Sequence, residues 1–385
     1  MPEFGPITCA GCALLCDDVT VSLAGDEVGL EPACPVGAAW FWQHTASAAG
    51  GPAATIDGAP VDLDVAVARA AELLRGARRP LVRGFDGATV EDARAAVALA
   101  DRVGALVRIG AAGPWPGSPA VPLRGVSTAT LGEIRDRSRL VVIWREDPEA
   151  THPRLLDRLG FSTVDESRSL IVLDDRETST IDRAQVRLSW PRERDLDALV
   201  GLHVLQRRPT ASAGGLEPQL RDLLERLGAV RHATCVYGPG LTDGAGGQRR
   251  ALALHELVRS LCDERHVVTL ELARAPGSRS ADDVLAWQSG YGGAVDFAGG
   301  HPELVTDTEP LDDADVTLLV EPGPAGSVVA GPGAEVWIRT AAAGISAAGT
   351  AHRLDGVPLT LQAPLANGAP TAAALLARLL EEVQR

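Results

Sequence analysis

The chain has 385 residues, 45% of them apolar, which is too much material for one ordinary core and enough for two or three domains. A formal charge of −15 and a pI near 5.0 exclude a role that rests on attraction to nucleic acid or another polyanion. No run approaches the roughly 18 apolar residues of a membrane span. The first residues also lack the basic-then-apolar order of a secretory signal, so the chain reads as cytoplasmic with no membrane partner. All 36 basic residues are arginine, which rules out a Schiff-base lysine and a phosphate-loop lysine.

In chain order, the first signal is a set of thiols at Cys9, Cys12, Cys16 and Cys34, four of the six cysteines. Small residues between the first three let the backbone curl, and the turn marked by Pro32 and Pro35 delivers the fourth. Four converging thiolates hold an iron–sulfur cluster such as [4Fe–4S], or a tetrahedral zinc, and spacing alone does not name the metal. The Cys34-Pro35 pair and the apolar fillers Ala13, Leu14 and Leu15 favour a cluster. The bland alternative is a set of vestigial thiols. Unpaired thiols in a chain of this size suit a reducing compartment.

Val19 to Leu23 and Glu27 to Glu31 alternate as a hairpin around Ala24-Gly25-Asp26. Ala46 to Ala54 reads as a linker. From about residue 60, strands and helices alternate, which predicts parallel α/β layers. The predicted helices are Asp64 to Gly76, Val90 to Val103, Asp195 to Gln206, Leu216 to Leu227, Gln248 to Cys262 and Thr371 to Val383. The predicted strands are Pro80 to Gly84, Arg139 to Trp144, Ser169 to Leu173, Ala233 to Tyr237, His266 to Leu272, Asp315 to Glu321 and Glu335 to Arg339. Cys235 and Cys262 fall in apolar elements and are expected to be packed inside. The stretch Ala273–Pro310, with Trp287, Gln288, Tyr291, Asp296 and Phe297, reads as a long site or interface loop. The expected domains are a cysteine-rich cap at 1–55, α/β domains at 56–165 and 166–345, and a C-terminal segment at 346–385.

Two constellations are candidate ligand sites. Gly238-Pro239-Gly240, with Gly244, Gly246 and Gly247, joins a strand to a helix and can offer backbone N–H groups to a phosphate; tight turning is the alternative. Asp174, Arg176 and Thr178 follow another strand, where open α/β sheets bind ligands, and suit a ribose or guanine edge; a solvated turn is the alternative. The eight histidines are scattered, with no zinc-hydrolase pair. No G-x-S-x-G elbow occurs.

With these residues laid out, the chain resembles the B subunit of formylmethanofuran dehydrogenase, a branch of the molybdopterin oxidoreductase superfamily. The resemblance rests on Cys9, Cys12, Cys16-Asp17-Asp18 and Cys34, and on Ala77-Arg78-Arg79-Pro80-Leu81. It continues through Thr130-Leu131-Gly132-Glu133, His152-Pro153-Arg154, Trp287-Gln288-Ser289-Gly290-Tyr291 and Arg353-Leu354-Asp355-Gly356-Val357-Pro358. It implies Rossmann-like α/β layers of the formate dehydrogenase-like type behind a small iron–sulfur cap. It also implies a tungsten or molybdenum ion between two pterin nucleotides, held by a cysteine or selenocysteine followed by histidine. In this chain the corresponding loop, Gly110 to Ser118, offers neither thiol nor imidazole. Arg145-Glu146-Asp147-Pro148 puts carboxylates where the family has a small uncharged turn. Arg274 corresponds to the family's active-site arginine, although Ala275-Pro276-Gly277 departs from its pattern.

The sequence therefore looks most like the B subunit of the bacterial formyltransferase/hydrolase complex. Such complexes move a formyl group from tetrahydromethanopterin to a methanofuran-type carrier and release formate. The resemblance implies a structural subunit whose partners are the other subunits, with molybdopterin or tungstopterin absent and a [4Fe–4S] cluster still accommodated. The alternatives are a working molybdenum or tungsten subunit and a stand-alone iron–sulfur electron carrier.

Overall fold

The computed structural model describes residues 3–24, 27–46, 52–85, 87–109, 123–162, 167–273, 275–305, 313–322, 334–365 and 367–385. The chain divides into two compact units, one formed by 1–117 together with 275–385 and the other by 118–274.

Local chemistry explains the elements of the first unit. The helix Val90–Val103 opens with a reciprocal cap, in which Thr89 accepts from the Asp92 N–H and Asp92 accepts from the Thr89 N–H. It closes on Gly104 at φ 66°, a conformation open to glycine at no steric cost. Ala93, Ala96, Val97 and Ala100 fall on its buried face. Asp92 also accepts from the Ala373 N–H at 2.7 Å, so one carboxylate caps this helix and the last one, Ala372–Gln384.

These helices and Leu63–Gly76 cover one face of an eight-stranded sheet. From edge to edge the strands are Glu303–Leu304, Ala294–Asp296, Leu106–Ile109, Pro80–Gly84, Val316–Glu321, Ala334–Arg339, Ala54–Ile56 and Ala59–Val61. The middle four are parallel and the outer strands antiparallel. Val82, Val107, Leu318 and Val336 point into the helical core. Leu81 and Leu106 point the other way, into a small patch with Ala294, Val305 and Ala314. A separate antiparallel sheet joins Glu3–Ile7, Val19–Ala24 and Glu27–Glu31.

The second unit has a five-stranded parallel sheet in the order Val186–Leu188, Ser169–Leu173, Leu140–Trp144, His232–Tyr237, His266–Glu271. The chain starts at the central strand, winds out to one edge, and then returns to build the other. The connections leaving Leu140–Trp144 and His232–Tyr237 therefore diverge, which opens a crevice at their C-terminal ends.

The mixed α/β class holds, and the expected strands and helices appear within a residue or two at most ends. The expected domain boundaries at 165/166 and 345/346 do not coincide with the two units. The strand Leu140–Trp144 belongs to the second unit, while Val316–Glu321 returns to pair with Pro80–Gly84 in the first. The stretch 273–310 is not one long loop: it contains the helix Ser278–Ser289 and the strands Ala294–Asp296 and Glu303–Leu304. A hairpin of Gly349–His352 and Pro358–Leu361 was not foreseen. Cys235 is buried as expected, whereas Cys262 is exposed at the end of its helix.

Three buried histidines give the fold a pH signature. Burial pulls His44, His152 and His255 each down to about 4 from 6.5; for His44 the nearby Pro322 carbonyl opposes the fall. The folded chain keeps these rings neutral where the unfolded chain takes up protons. Their contribution to stability is complete above pH 6.5 and is lost progressively towards pH 4. The midpoint of urea unfolding should fall steadily between those two values, and a midpoint that stays level over this range would refute the assignment.

Candidate functional site

In the first unit, the segment from Cys9 to Cys16 folds back on itself. The Cys9 N–H donates to the Cys16 carbonyl at 2.8 Å and the Leu15 N–H to the Cys12 carbonyl at 3.2 Å. Leu15 takes a left-handed conformation at φ 43° to make the turn. The first turn of the helix Pro35–Ala46 lies directly against this loop. A Cβ on Gly11 would fall 2.9 Å from the Gly37 Cα, and one on Gly37 would fall 3.1 Å from the Cys9 sulfur. The close approach of the loop to the helix therefore requires both glycines.

The Gly11 and Gly37 N–H groups donate to the sulfurs of Cys9 and Cys34 at 3.4 and 3.5 Å. Burial pushes the Cys12 thiol up, the Leu14 backbone pulls it back, and Cys9, Cys16 and Cys34 each add to the rise. Cys12 is thus the thiol that feels the other three. Arg353, held by Asp355 at 2.8 Å, feels the field of Asp17 and Cys16. The Leu354 N–H ties the same segment to the Ala13 carbonyl. Among the described residues, no three His, Cys, Asp or Glu side chains are gathered tightly enough to chelate a single ion.

In the second unit, Asp174 and Arg176 of one ligand constellation and Gly238 and Gly240 of the other meet at the crevice, around a residue that neither constellation included. Arg145 ends the strand Leu140–Trp144 with φ 60°, a conformation that costs a non-glycine residue energy unless its surroundings hold it. Its guanidinium is 2% exposed. It donates from Nε to Asp195 Oδ2 at 3.0 Å, from Nη1 to Asp175 at 2.6 Å and from Nη2 to the Trp190 carbonyl at 2.6 Å. Asp195 also accepts from the indoles of Trp144 and Trp190 at 3.1 and 2.9 Å. The cation is matched on every side by fixed acceptors, as a buried charge requires.

The predicted ligand groups are spent on this network. Asp174 accepts from Arg176 Nε and Nη2 at 3.0 and 2.8 Å. Burial pushes the Asp174 carboxyl up, but the Arg176 side-chain and backbone bonds and the Arg145 charge hold it below the ordinary range. Arg176 Nη2 also donates to the Arg145 carbonyl at 2.8 Å. On the other wall, the Gly240 N–H donates to Glu146 Oε1. A Cβ on Gly240 would fall 1.7 Å from the Arg145 carbonyl oxygen, and one on Gly238 would fall 3.0 Å from Glu146 Oε1. Asp147 accepts from the Ser179 and Thr180 N–H groups, both at 3.1 Å. The loop that offered N–H groups to a phosphate already holds a carboxylate. A pterin nucleotide phosphate placed there would meet Glu146 and the backbone of Arg145, so these residues do not fit that group.

Thr178 lies outside the cluster, its hydroxyl buried without a hydrogen-bond partner among the described residues. Arg274 and the loop Gly110 to Ser118 fall outside the described residues. Asp195 and Trp190 were missed by sequence reasoning. Asp195 reads as an ordinary helix starter, and nothing local signals that its carboxylate meets Arg145. On the first unit, Trp287 is 68% exposed and lies beside Arg94, whose guanidinium is 5.7 Å from the ring. Among the described residues no helix is long and apolar enough to cross a membrane.

No family model matches the chain. Individual relatives do. It is 25% identical to the B subunit of the tungsten-containing formylmethanofuran dehydrogenase 2 of Methanocaldococcus jannaschii, with 92% of each chain covered. The Methanococcus maripaludis protein of the same name is 24% identical, with 94% of each chain covered. The chain resembles the formylmethanofuran dehydrogenase B subunit. Over 65% of its length it is also 26% identical to the B subunit of the formyltransferase/hydrolase complex Fhc of Methylorubrum extorquens, covering 68% of that protein. One chain in the crystal structure of that organism's FhcABCD complex with methylofuran shares the fold. The TM-score is 0.67 at 24% identity, over 86% of this chain and 99% of the other. The resemblance read from the sequence is therefore borne out by relatives that span nearly all of it.

Proposed function

We propose that the chain is the B subunit of a formyltransferase/hydrolase complex that passes formaldehyde-level carbon to formate, and that it serves as a structural subunit without a pterin redox centre of its own. The observation that carries this reading is the filled crevice. Glu146 takes the N–H that a phosphate would need, and Arg145, Asp174 and Arg176 satisfy one another. A subunit that binds a pterin nucleotide has to keep such groups available. The loss of thiol and imidazole from the Gly110 to Ser118 sequence points the same way. Likeness to the Methylorubrum protein supports assembly with other chains. The exposed Trp287 suits a contact with one of them.

The cysteine lobe is assigned to a [4Fe–4S] cluster held by Cys9, Cys12, Cys16 and Cys34 in a reducing cytoplasm. A zinc ion needs all its sulfurs at about 2.3 Å from one centre, whereas a multi-iron core spaces its thiolates farther apart. The Cys34-Pro35 pair and the buried apolar residues Ala13, Leu14 and Leu15 around the thiols favour the larger group. The backbone N–H groups aimed at the Cys9 and Cys34 sulfurs would stabilise thiolate charge. Bound there, a cluster supplies cross-linking and one-electron chemistry, and the chain's own residues orient it and shield it from water.

Anaerobic affinity purification of the tagged chain from its host, followed by elemental analysis, tests both parts. Companion subunits, iron and no stoichiometric molybdenum or tungsten are expected. Stoichiometric molybdenum or tungsten would overturn the structural role, zinc in place of iron would overturn the cluster, and a lone monomer with a reversible redox signal would favour an electron carrier.

A further inference from the structure

Two arginines stand side by side on the face of the first unit's sheet that points away from its helices. Arg83 and Arg108 are register partners in the neighbouring parallel strands Pro80–Gly84 and Leu106–Ile109. Their backbones are separated by one strand spacing, about 4.8 Å, and their side chains leave the sheet in the same direction. Val82 and Val107, beside them in sequence, belong to the helical core on the opposite face. Leu81 and Leu106 place the small apolar patch on the arginines' own side.

Both guanidinium residues are buried, at 7% and 8% exposure. Arg83 has contacts of its own, and only its charge matters here. Arg108 is different, because its Nε and Nη2 have no hydrogen-bond partner among the described residues. Its surroundings also oppose its charge: burial disfavours the cation, and the Arg83 charge beside it adds to the effect. Arginine does not shed its proton inside a protein, so the strain cannot be relieved by neutralisation. Among the described residues no ion pair to Arg108 occurs, in contrast to the carboxylates around Arg145. Unsatisfied buried donors of this kind mark a missing acceptor.

We propose that Arg83 and Arg108 form a binding site for a small oxyanion, a carboxylate or a phosphate, which accepts from the unpartnered edge of Arg108 and is held by the charge of both residues. A planar guanidinium fork matches two oxygens on one carbon or phosphorus, which a halide does not offer. Both arginines are buried and the leucines on the same face give the site an apolar floor, which suits a small anion. The site stands independently of the family reading, since no residue of the crevice or of the cysteine lobe contributes to it.

Calorimetric titration of the full-length chain in chloride buffer tests the site, with sodium formate and inorganic phosphate added separately at constant ionic strength and sodium chloride as the blank. Saturable heat with one of the oxyanions is expected, together with a Tm that rises with its concentration. Preference for formate assigns a carboxylate ligand, and preference for phosphate assigns a phosphoryl one. Arg108→Gln should weaken binding at least tenfold, and Arg108→Lys should fall between, because it keeps the charge and loses the fork. In oxyanion-free buffer Arg108→Leu should melt no lower than the wild type, since it removes a charge that nothing offsets. Absence of saturable heat with either anion, which the wild type alone decides, overturns the proposal. So does unchanged binding by Arg108→Gln, or an Arg108→Leu variant that melts far below the wild type without anion.

Discussion

Arg145→Ala is expected to remove about 3–5 kcal/mol of folding stability, the range for breaking one side of a buried ion pair. The cost arises in what is left behind. Asp195 would keep two indole donors and lose its counter-charge, and Asp174 would lose one of its two cations. Residue 145 would also still sit at φ 60° with no guanidinium network to hold it there. Urea unfolding of the variant measures the loss, and a double-mutant cycle with Asp195→Asn separates the pair from the scaffold. A loss below about 1 kcal/mol, as exposed ion pairs give, would mean that water reaches this cluster.

Gly240→Ala should also be costly, at the upper end of the roughly 1–3 kcal/mol that overpacking brings. The added methyl would meet the Arg145 carbonyl oxygen at 1.7 Å and its Cβ at 2.9 Å. Main chain opposes main chain here, so no rotamer change relieves the clash. The variant has to separate the glycine loop from Arg145, which pulls the Gly240 N–H away from Glu146. Gly228→Ala is the matched control, at a helix end where a Cβ would meet nothing within 4 Å. Equal unfolding midpoints for the two variants would show that the crevice walls are not in contact.

The sequence made some of this legible and hid the rest, for physical reasons. The helix Val90–Val103 carries a capping pair at Thr89 and Asp92, a terminating Gly104 and apolar residues at helical spacing, all of them local signals. The helix Ser278–Ser289 opens Ser-Arg-Ser after a glycine and its buried apolar residues are only Ala281, Val284 and Leu285, so a loop looked equally sound. Which sheet a strand joins is a non-local choice. Nothing within Val316–Glu321 tells that it slots beside Pro80–Gly84.

The ligand constellations show the same limit. Asp174, Arg176, Gly238 and Gly240 were rightly placed at the ends of parallel strands, and the structure brings them to one crevice. Whether a carboxylate there meets a ligand or a neighbour depended on Arg145 and Glu146, which are remote in sequence from the glycine loop. The charged turn after Leu140–Trp144 had signalled a poor phosphate site, but not that its members fill the site themselves.

Because the second unit is spliced into the first between residues 117 and 275, the order of synthesis and the order of completion are reversed. The inserted stretch leaves the ribosome whole, with every strand of its sheet in hand. The outer unit has to wait with Pro80–Gly84 unpaired along one edge until Val316–Glu321 has been made, and that strand in turn awaits Ala334–Arg339. The portion of the molecule that begins first is therefore the last able to close.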